Sequence, residues 1–289
     1  MHIDRLRYIL QAYQRRPWVC RAMLILALAS LLACSTPPAP AAGPTPTALP
    51  DEQTLTVFAA ASLTDAFQEI GDSFEVGSAG VDLAFNFAGS QQLVQQLAQG
   101  AHADVLASAS LKAMQTAAEA GTVNEADSQA FARNQLVVIF PKDNPAGLAQ
   151  LQDLAKPGIK LVLAAKEVPA GQYALEFLDK ASQDPAFDSN FKEKVLNNVV
   201  SYETNVRLVL SKVALGEADA GIVYVTDFNI AKDAVSALVI PEALNAIAIY
   251  PIAPVKESMQ VELSQKFIDF VLSADGQQIL AKYGFLSPK

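Results

Sequence analysis

The chain has 289 residues, 51% hydrophobic and 18% charged, with a formal net charge of −9. That length suits one large α/β domain or two lobes of roughly 100–120 residues each. The apolar content excludes a disordered chain. An acidic balance with no Lys/Arg cluster in the globular part excludes the basic footprint of a nucleic-acid binder.

The first 34 residues stand apart. They hold Arg5, Arg7, Arg15, Arg16 and Arg21 against Asp4, then the apolar run Met23 to Ala29, continued by Leu31-Leu32-Ala33-Cys34. The run is shorter than the ~20 residues of a comfortable membrane span and reads as an export signal. Its ending resembles a bacterial lipobox, which implies cleavage before Cys34 and lipidation of that cysteine. The alternative is an uncleaved N-terminal anchor. Either way the domain lies outside the cytoplasm, held to the cell membrane on its periplasmic or outer face. Cys20 and Cys34 are the only cysteines, so the remainder has neither an internal disulfide nor a thiol nucleophile. Without residues 1–34, 16 basic and 29 acidic residues remain, a net charge of −13, and the only arginines are Arg133 and Arg207. Residues 35–53 are rich in Pro, Thr and Ala and read as an extended spacer.

Strand and helix signals then alternate. Leu55 to Ala59 is a short buried-strand run, followed by Leu63, Phe67, Ile70 and Phe74 on one helix face. Val81 to Phe87 alternates like a strand, and Leu93, Val94 and Leu97 mark a short helix. Asp104 to Ala107 is a strand and Leu111 to Ala120 a helix. Leu136 to Phe140 is a wholly apolar strand ending at Pro141. Ile159 to Ala164 reads as a strand before a helix at about 171–182. Asn205 to Leu215 reads as a helix and Ala220 to Tyr224 as a strand. Helices at about 259–272 and 274–282 close the chain. Repeated β-then-α units imply an α/β protein with mostly parallel sheets flanked by helices, and the number of units implies two lobes.

In open α/β sheets ligands bind beyond the carboxyl ends of strands, where helix N-termini offer free N–H groups to anions. Five junctions carry suitable residues. At the first, Ser62 precedes a helix with Asp65 three residues on, which equally fits a capping box. At the second, Gly89-Ser90 starts a helix, and Ser90 equally fits a cap. The third, Val168-Pro169-Ala170-Gly171, equally fits an ordinary helix start. At the fourth, Thr204 or Asn205 can cap the helix that begins at Val206. The fifth is Tyr224 at a strand end, where packing with the hydroxyl in water is the plainer reading. Enzyme readings are thin. A serine hydrolase needs a Gly-x-Ser-x-Gly elbow and a histidine base. Beyond the export signal there is one histidine, His102, which reads as a loop residue. No phosphate loop and no pair of histidines at metal-binding spacing are present.

Over most of residues 54–286 the chain resembles the periplasmic molybdate-binding proteins of ABC transporters. The resemblance rests on Thr56-Val57-Phe58-Ala59-Ala60-Ala61-Ser62-Leu63-Thr64, Phe87-Ala88-Gly89-Ser90 and Gly100-Ala101-His102-Ala103-Asp104-Val105. It continues in Val168 to Ala174, Gly216 to Tyr224, and Gly276-Gln277 to Phe285. It implies a two-lobed periplasmic-binding-protein fold, with residues 54–134 and 250–289 in lobe I, 135–249 in lobe II, and the ligand in the cleft. It also implies an oxyanion held by Ser62 and Ser90 through hydroxyls and amides, by Ala170 and Val206 through backbone amides, and by Tyr224 through its phenol. The implied protein is a monomeric, non-enzymatic binder without a cofactor. It takes molybdate, and tungstate with it, to a membrane permease. Sulfate on the same scaffold is the alternative ligand, and an extracellular hydrolase a remote one. Three segments depart from the family pattern: Gln91-Gln92 after Ser90, Leu163 to Lys166 ahead of Val168, and Asn205 before Val206.

Overall fold

A computed structural model describes residues 53–288; the export-signal and lipidation readings and the spacer up to residue 52 lie outside the described residues, while Gln53, read as the end of the spacer, already belongs to the first strand. The chain opens with β1 (Gln53–Ala60), a single 3-10 turn at Ala61–Leu63, and α1 (Thr64–Val76). β2 (Val81–Ala88) leads into α2 (Ser90–Ala98), and β3 (Val105–Ala107) into α3 (Leu111–Glu119). β4 (Gln129–Pro141) is followed by β5 (Leu161–Ala164), α4 (Pro169–Gln183) and α5 (Phe191–Asn197). Then come β6 (Val199–Glu203), α6 (Val206–Ala214), β7 (Ala220–Tyr224), α7 (Val225–Ala231) and β8 (Val235–Val239). β9 (Ile247–Pro254), α8 (Val261–Leu272) and α9 (Ala274–Lys282) finish the fold.

The strand order is β2-β1-β3-β9-β4-β7-β5-β6, with β8 also paired to β4. Pairing is parallel between β1 and both β2 and β3, and between β5 and both β6 and β7. β4 and β9 break that pattern. The first half of β4, Gln129 to Gln135, runs antiparallel to β9; its second half, Leu136 to Pro141, runs antiparallel to β7 and β8. β9 in turn pairs antiparallel with β3. The chain thus passes between the two strand groups in β4 and again in β9.

The packing follows the sequence pattern. Leu63, Phe67, Ile70 and Phe74 face inward from the start of α1, and the Phe67 ring meets Phe85, Phe131 and Phe267 at 5.7–6.3 Å between centroids. Such edge and tilted contacts add to area burial. A second core under α2 and α3 gathers Leu93, Val94, Leu97, Leu106 and Met114. The closing motif has a packing reason: a side chain at Gly276 would meet the carbonyls of Phe270 and Val271, and Gln277 Nε2 donates to Phe131 O at 3.0 Å.

Five elements carried no clear sequence signal: α5, β6, α7, β8 and β9. β9 contains Pro251, which lacks a donor and normally demotes a strand. Here it faces a register shift in β4 between Ala130 and Ala132, which relieves the ladder. α7 starts directly after β7, with no turn residue between them. The strand read at Leu136 to Phe140 is the inner part of a longer one, because only that part is apolar on both faces.

Candidate functional site

The parallel strands β1, β2, β5, β6 and β7 all end toward one cavity, and a helix starts just beyond each. Ser62 lies in the 3-10 turn before α1, Ser90 is the first residue of α2, and Ala170 the second of α4. Val206 opens α6 and Tyr224 ends β7. All five line the same cavity, with Gly89, Ala109, Pro169 and Asn205 among its other walls. The enclosed space is about 10 Å³, far below the ~300–1,000 Å³ of pockets for organic ligands. The walls carry hydroxyls, amides and methyl groups, and no side-chain carboxylate or ammonium.

The capping alternatives resolve individually. Ser62 does not cap α1: its Oγ lies 2.8 Å from Tyr250 Oη, and Asp65 turns to Arg207. Ser90 is not a cap either, since Gly89 holds that position; Ser90 Oγ accepts the Ala109 N–H at 2.9 Å. Val168 caps α4 without a side-chain bond, which leaves amides at its start unclaimed by any cap. Asn205 does cap α6, its Oδ1 accepting from Leu208 N at 3.1 Å, so it lines the cavity with its carbonyl already used. Tyr224 is not solvated. It is 1% exposed, and its hydroxyl has no hydrogen-bond partner among the described residues. Burial, with the Tyr250 phenol close by, holds its pKa well above the ordinary value. A buried O–H without a partner costs about 1–3 kcal/mol, so one aimed into a cavity marks a place for an acceptor. His102 lies on an exposed loop, 3.7 Å from Asp104, and takes no part in the cavity.

Three groups that sequence reasoning did not assign surround the cavity. Gln91 is not a cavity wall. Its Nε2 donates to Thr204 O at 3.0 Å, joining α2 to the β6–α6 junction. Arg207 makes the second link. Its Nη2 donates to Asp65 Oδ2 at 2.6 Å and approaches Ser62 O at 3.4 Å, and its Nε lies 2.7 Å from Asp227 Oδ1. That last contact is an ion pair. Asp227 is fully buried, and burial pushes its carboxyl up to about 6 against the pull of Arg207. The third group is Tyr250, buried beneath Ser62. Sequence separations of 188 for Ser62–Tyr250 and 142 for Asp65–Arg207 leave no local signal for either pair.

A cavity at strand ends, walled by helix N-termini from two strand groups, is the architecture of a solute binder. Residues 55–286 match the family described as bacterial extracellular solute-binding protein. The chain belongs to that family. It is 38% identical over 269 residues to the molybdate-binding protein of Mycobacterium bovis, covering 92% of this chain and 95% of that one. It is 32% identical to a Bacillus subtilis protein named as an ABC transporter substrate-binding lipoprotein, covering 80% of this chain and 86% of that one. The periplasmic molybdate-binding protein of Azotobacter vinelandii has the same two-lobed fold. It gives a TM-score of 0.70 at 19% identity, over 81% of this chain and all of that one. The family binds solutes and is not enzymatic. Among the described residues, no group of His, Cys, Asp and Glu could hold a metal ion, and no helix is long and apolar enough to cross a membrane.

Proposed function

We propose that this protein binds molybdate, and tungstate with it, outside the cytoplasm and delivers it to the membrane permease of an ABC transporter. Ser62, Ser90 and Tyr224 supply hydroxyls, and Ala170 and Val206 supply backbone amides. The observation that carries the reading is the Tyr224 hydroxyl, buried without a partner in a cavity that offers donors from five helix starts. Donors around an anion make charge-assisted hydrogen bonds, roughly twice as strong as neutral ones, and helix N-termini add partial positive charge. A bound lysine is then unnecessary. The 38% identity to a molybdate-binding protein supports the ligand. Residues 54–134 with 250–289 form one lobe and 135–249 the other. The protein acts as a monomer without a resident cofactor, tethered by a lipid on Cys34 through the spacer at 35–53.

A thermal-denaturation panel of molybdate, tungstate, sulfate and phosphate tests this. A ligand at 1,000 times its dissociation constant adds ~4 kcal/mol, about 8–16 °C for a domain of this size. The expected result is a shift of that order with molybdate and tungstate and little with the others. A shift with sulfate alone keeps the fold and overturns the ligand.

A further inference from the structure

Three of the cavity positions have a charged residue close behind them in the chain. Arg207 follows Val206, Asp65 lies three residues after Ser62, and Asp227 lies three residues after Tyr224. The fold brings these charges together, and none of them is a wall of the cavity. Arg207 Nη2 donates to Asp65 Oδ2 at 2.6 Å and lies 3.4 Å from Ser62 O, while Arg207 Nε is paired with Asp227 Oδ1 at 2.7 Å. Asp227 is anchored in turn, since its Oδ2 accepts the Tyr224 N–H at 3.1 Å.

The two arms of Arg207 differ in kind. α6 and α7 follow β6 and β7, so the Asp227 arm stays within one strand group. α1 follows β1, so the Asp65 arm crosses the cavity to the other group. The enclosed space between the groups is about 10 Å³, roughly room for one water. A tetrahedral oxyanion is larger than a water, so it enters and leaves only when the groups part. The strands that join them, β4 and β9, are where such a motion turns.

We propose that Arg207 is a positioning residue that latches the cavity shut: it is seated on Asp227, closes on Asp65, and so sets how long the anion is held. The latch touches no ligand. Opening breaks only the Asp65 arm. Asp227 is fully buried and keeps its cation throughout, so the open form strands no buried charge. The two carboxylates also repel one another across the guanidinium, so Asp227 weakens the grip on Asp65. Their effects on the ligand are therefore opposite in sign, which a pair that only supports the fold would not show. Neutralising Asp65 removes the grip on the closed form. Neutralising Asp227 removes the competitor for Arg207.

This inference rests on the oxyanion reading above, and one kinetic series separates the two. Molybdate and tungstate are titrated calorimetrically near neutral pH into the wild type, Asp65→Asn and Asp227→Asn. Stopped-flow tyrosine fluorescence gives the association rate, and its product with the dissociation constant gives the dissociation rate. Asp65 is about one-third exposed, which discounts the charged hydrogen bond it loses, so Asp65→Asn should release molybdate about 3- to 30-fold faster. Its association rate and its ligand-free melting point should stay close to those of the wild type. Asp227→Asn should release molybdate as slowly as the wild type or more slowly. Asp65→Asn carries the test alone should Asp227→Asn fail to fold. Release within twofold of the wild type in Asp65→Asn, a loss of affinity carried by slower association, or the same faster release in both variants would overturn the latch and leave the oxyanion reading standing. A wild type that takes up neither molybdate nor tungstate would overturn both.

Discussion

Ser62 and Tyr224 approach the cavity from different strand groups, one with its oxygen engaged from behind and the other with no hydrogen-bond partner among the described residues. On the proposed reading, each contributes one charge-assisted hydrogen bond to the bound dianion. Ser62→Ala and Tyr224→Phe should each cost ~1.5–3 kcal/mol of binding, about 10- to 150-fold in affinity. Calorimetric titration with molybdate checks this; affinities within twofold of wild type would remove these residues from the site. Asp227 makes a different prediction, about stability. Its folded pKa of about 6 lies above the value of 3.8 for an unperturbed aspartate. A raised carboxylate pKa stabilises the fold fully below the unfolded value, and that contribution is lost as pH rises through the folded one. Measured against Asp227→Asn, the wild type should therefore lose on the order of 3 kcal/mol between about pH 4 and pH 6.5, then level off. Glu69, Asp153 and Glu203 have lowered pKa values, but both proteins share them and they cancel in the difference. Denaturant midpoints across that range settle the sign. A wild type that gains over the variant as pH rises would mean that Arg207 keeps Asp227 ionised.

At the scale of elements, the cavity depends on how closely α2 meets the start of α6. Gly89 is the contact point, and the reason is space, since its φ of −60° suits any residue. A side chain there would collide with the Thr204 carbonyl and the Gln91 amide. Gln91 can move, but a backbone carbonyl yields only if the two elements part. Gly89→Ala should weaken molybdate binding by roughly 1–3 kcal/mol, the usual cost of overpacking, with little change in the melting point of the ligand-free protein. Unchanged affinity would show that this contact is absent from the ligand-bound form. The same elements show what a sequence makes legible. Strand-end junctions such as Ala61-Ser62 and Gly89-Ser90 carry their signal within a few residues: small residues, a hydroxyl, then a helical face. Ser62 and Ser90 were readable on those terms; Ala170, Val206 and Tyr224 were named by the resemblance, and all five line the one cavity. β9 was not, because Pro251 interrupts it and only the bulge supplied by β4 makes room for that proline. Tyr250 and Arg207 were hidden for a related reason, since their partners lie far away in sequence and no local pattern announces them.

For the whole molecule, the charge opposes the ligand. Residues 35–289 carry a net charge of −13, and the proposed ligand is a dianion. The two arginines do not offset this at the cavity: Arg207 is held between Asp65 and Asp227, and Arg133 Nε donates to Ser287 O. Long-range repulsion and short-range attraction therefore act on different steps. Repulsion acts during approach, where the Debye length falls from ~30 Å at 0.01 M salt to ~8 Å at 0.15 M. The donors act after contact, inside a small cavity that bulk ions screen much less. Added salt should then speed association and leave dissociation nearly unchanged, so that affinity rises modestly with ionic strength. That is the reverse of a site built from lysine and arginine, where steering collapses as salt increases. Stopped-flow tyrosine fluorescence at low and physiological salt measures both rates, with potassium chloride chosen so that no competing oxyanion is added. An association rate that falls with salt would mean that a local positive field at the mouth outweighs the net charge. Lys166, which shares a surface groove with Gln91 and Lys112, would then need a part in capture that the cavity walls do not give it.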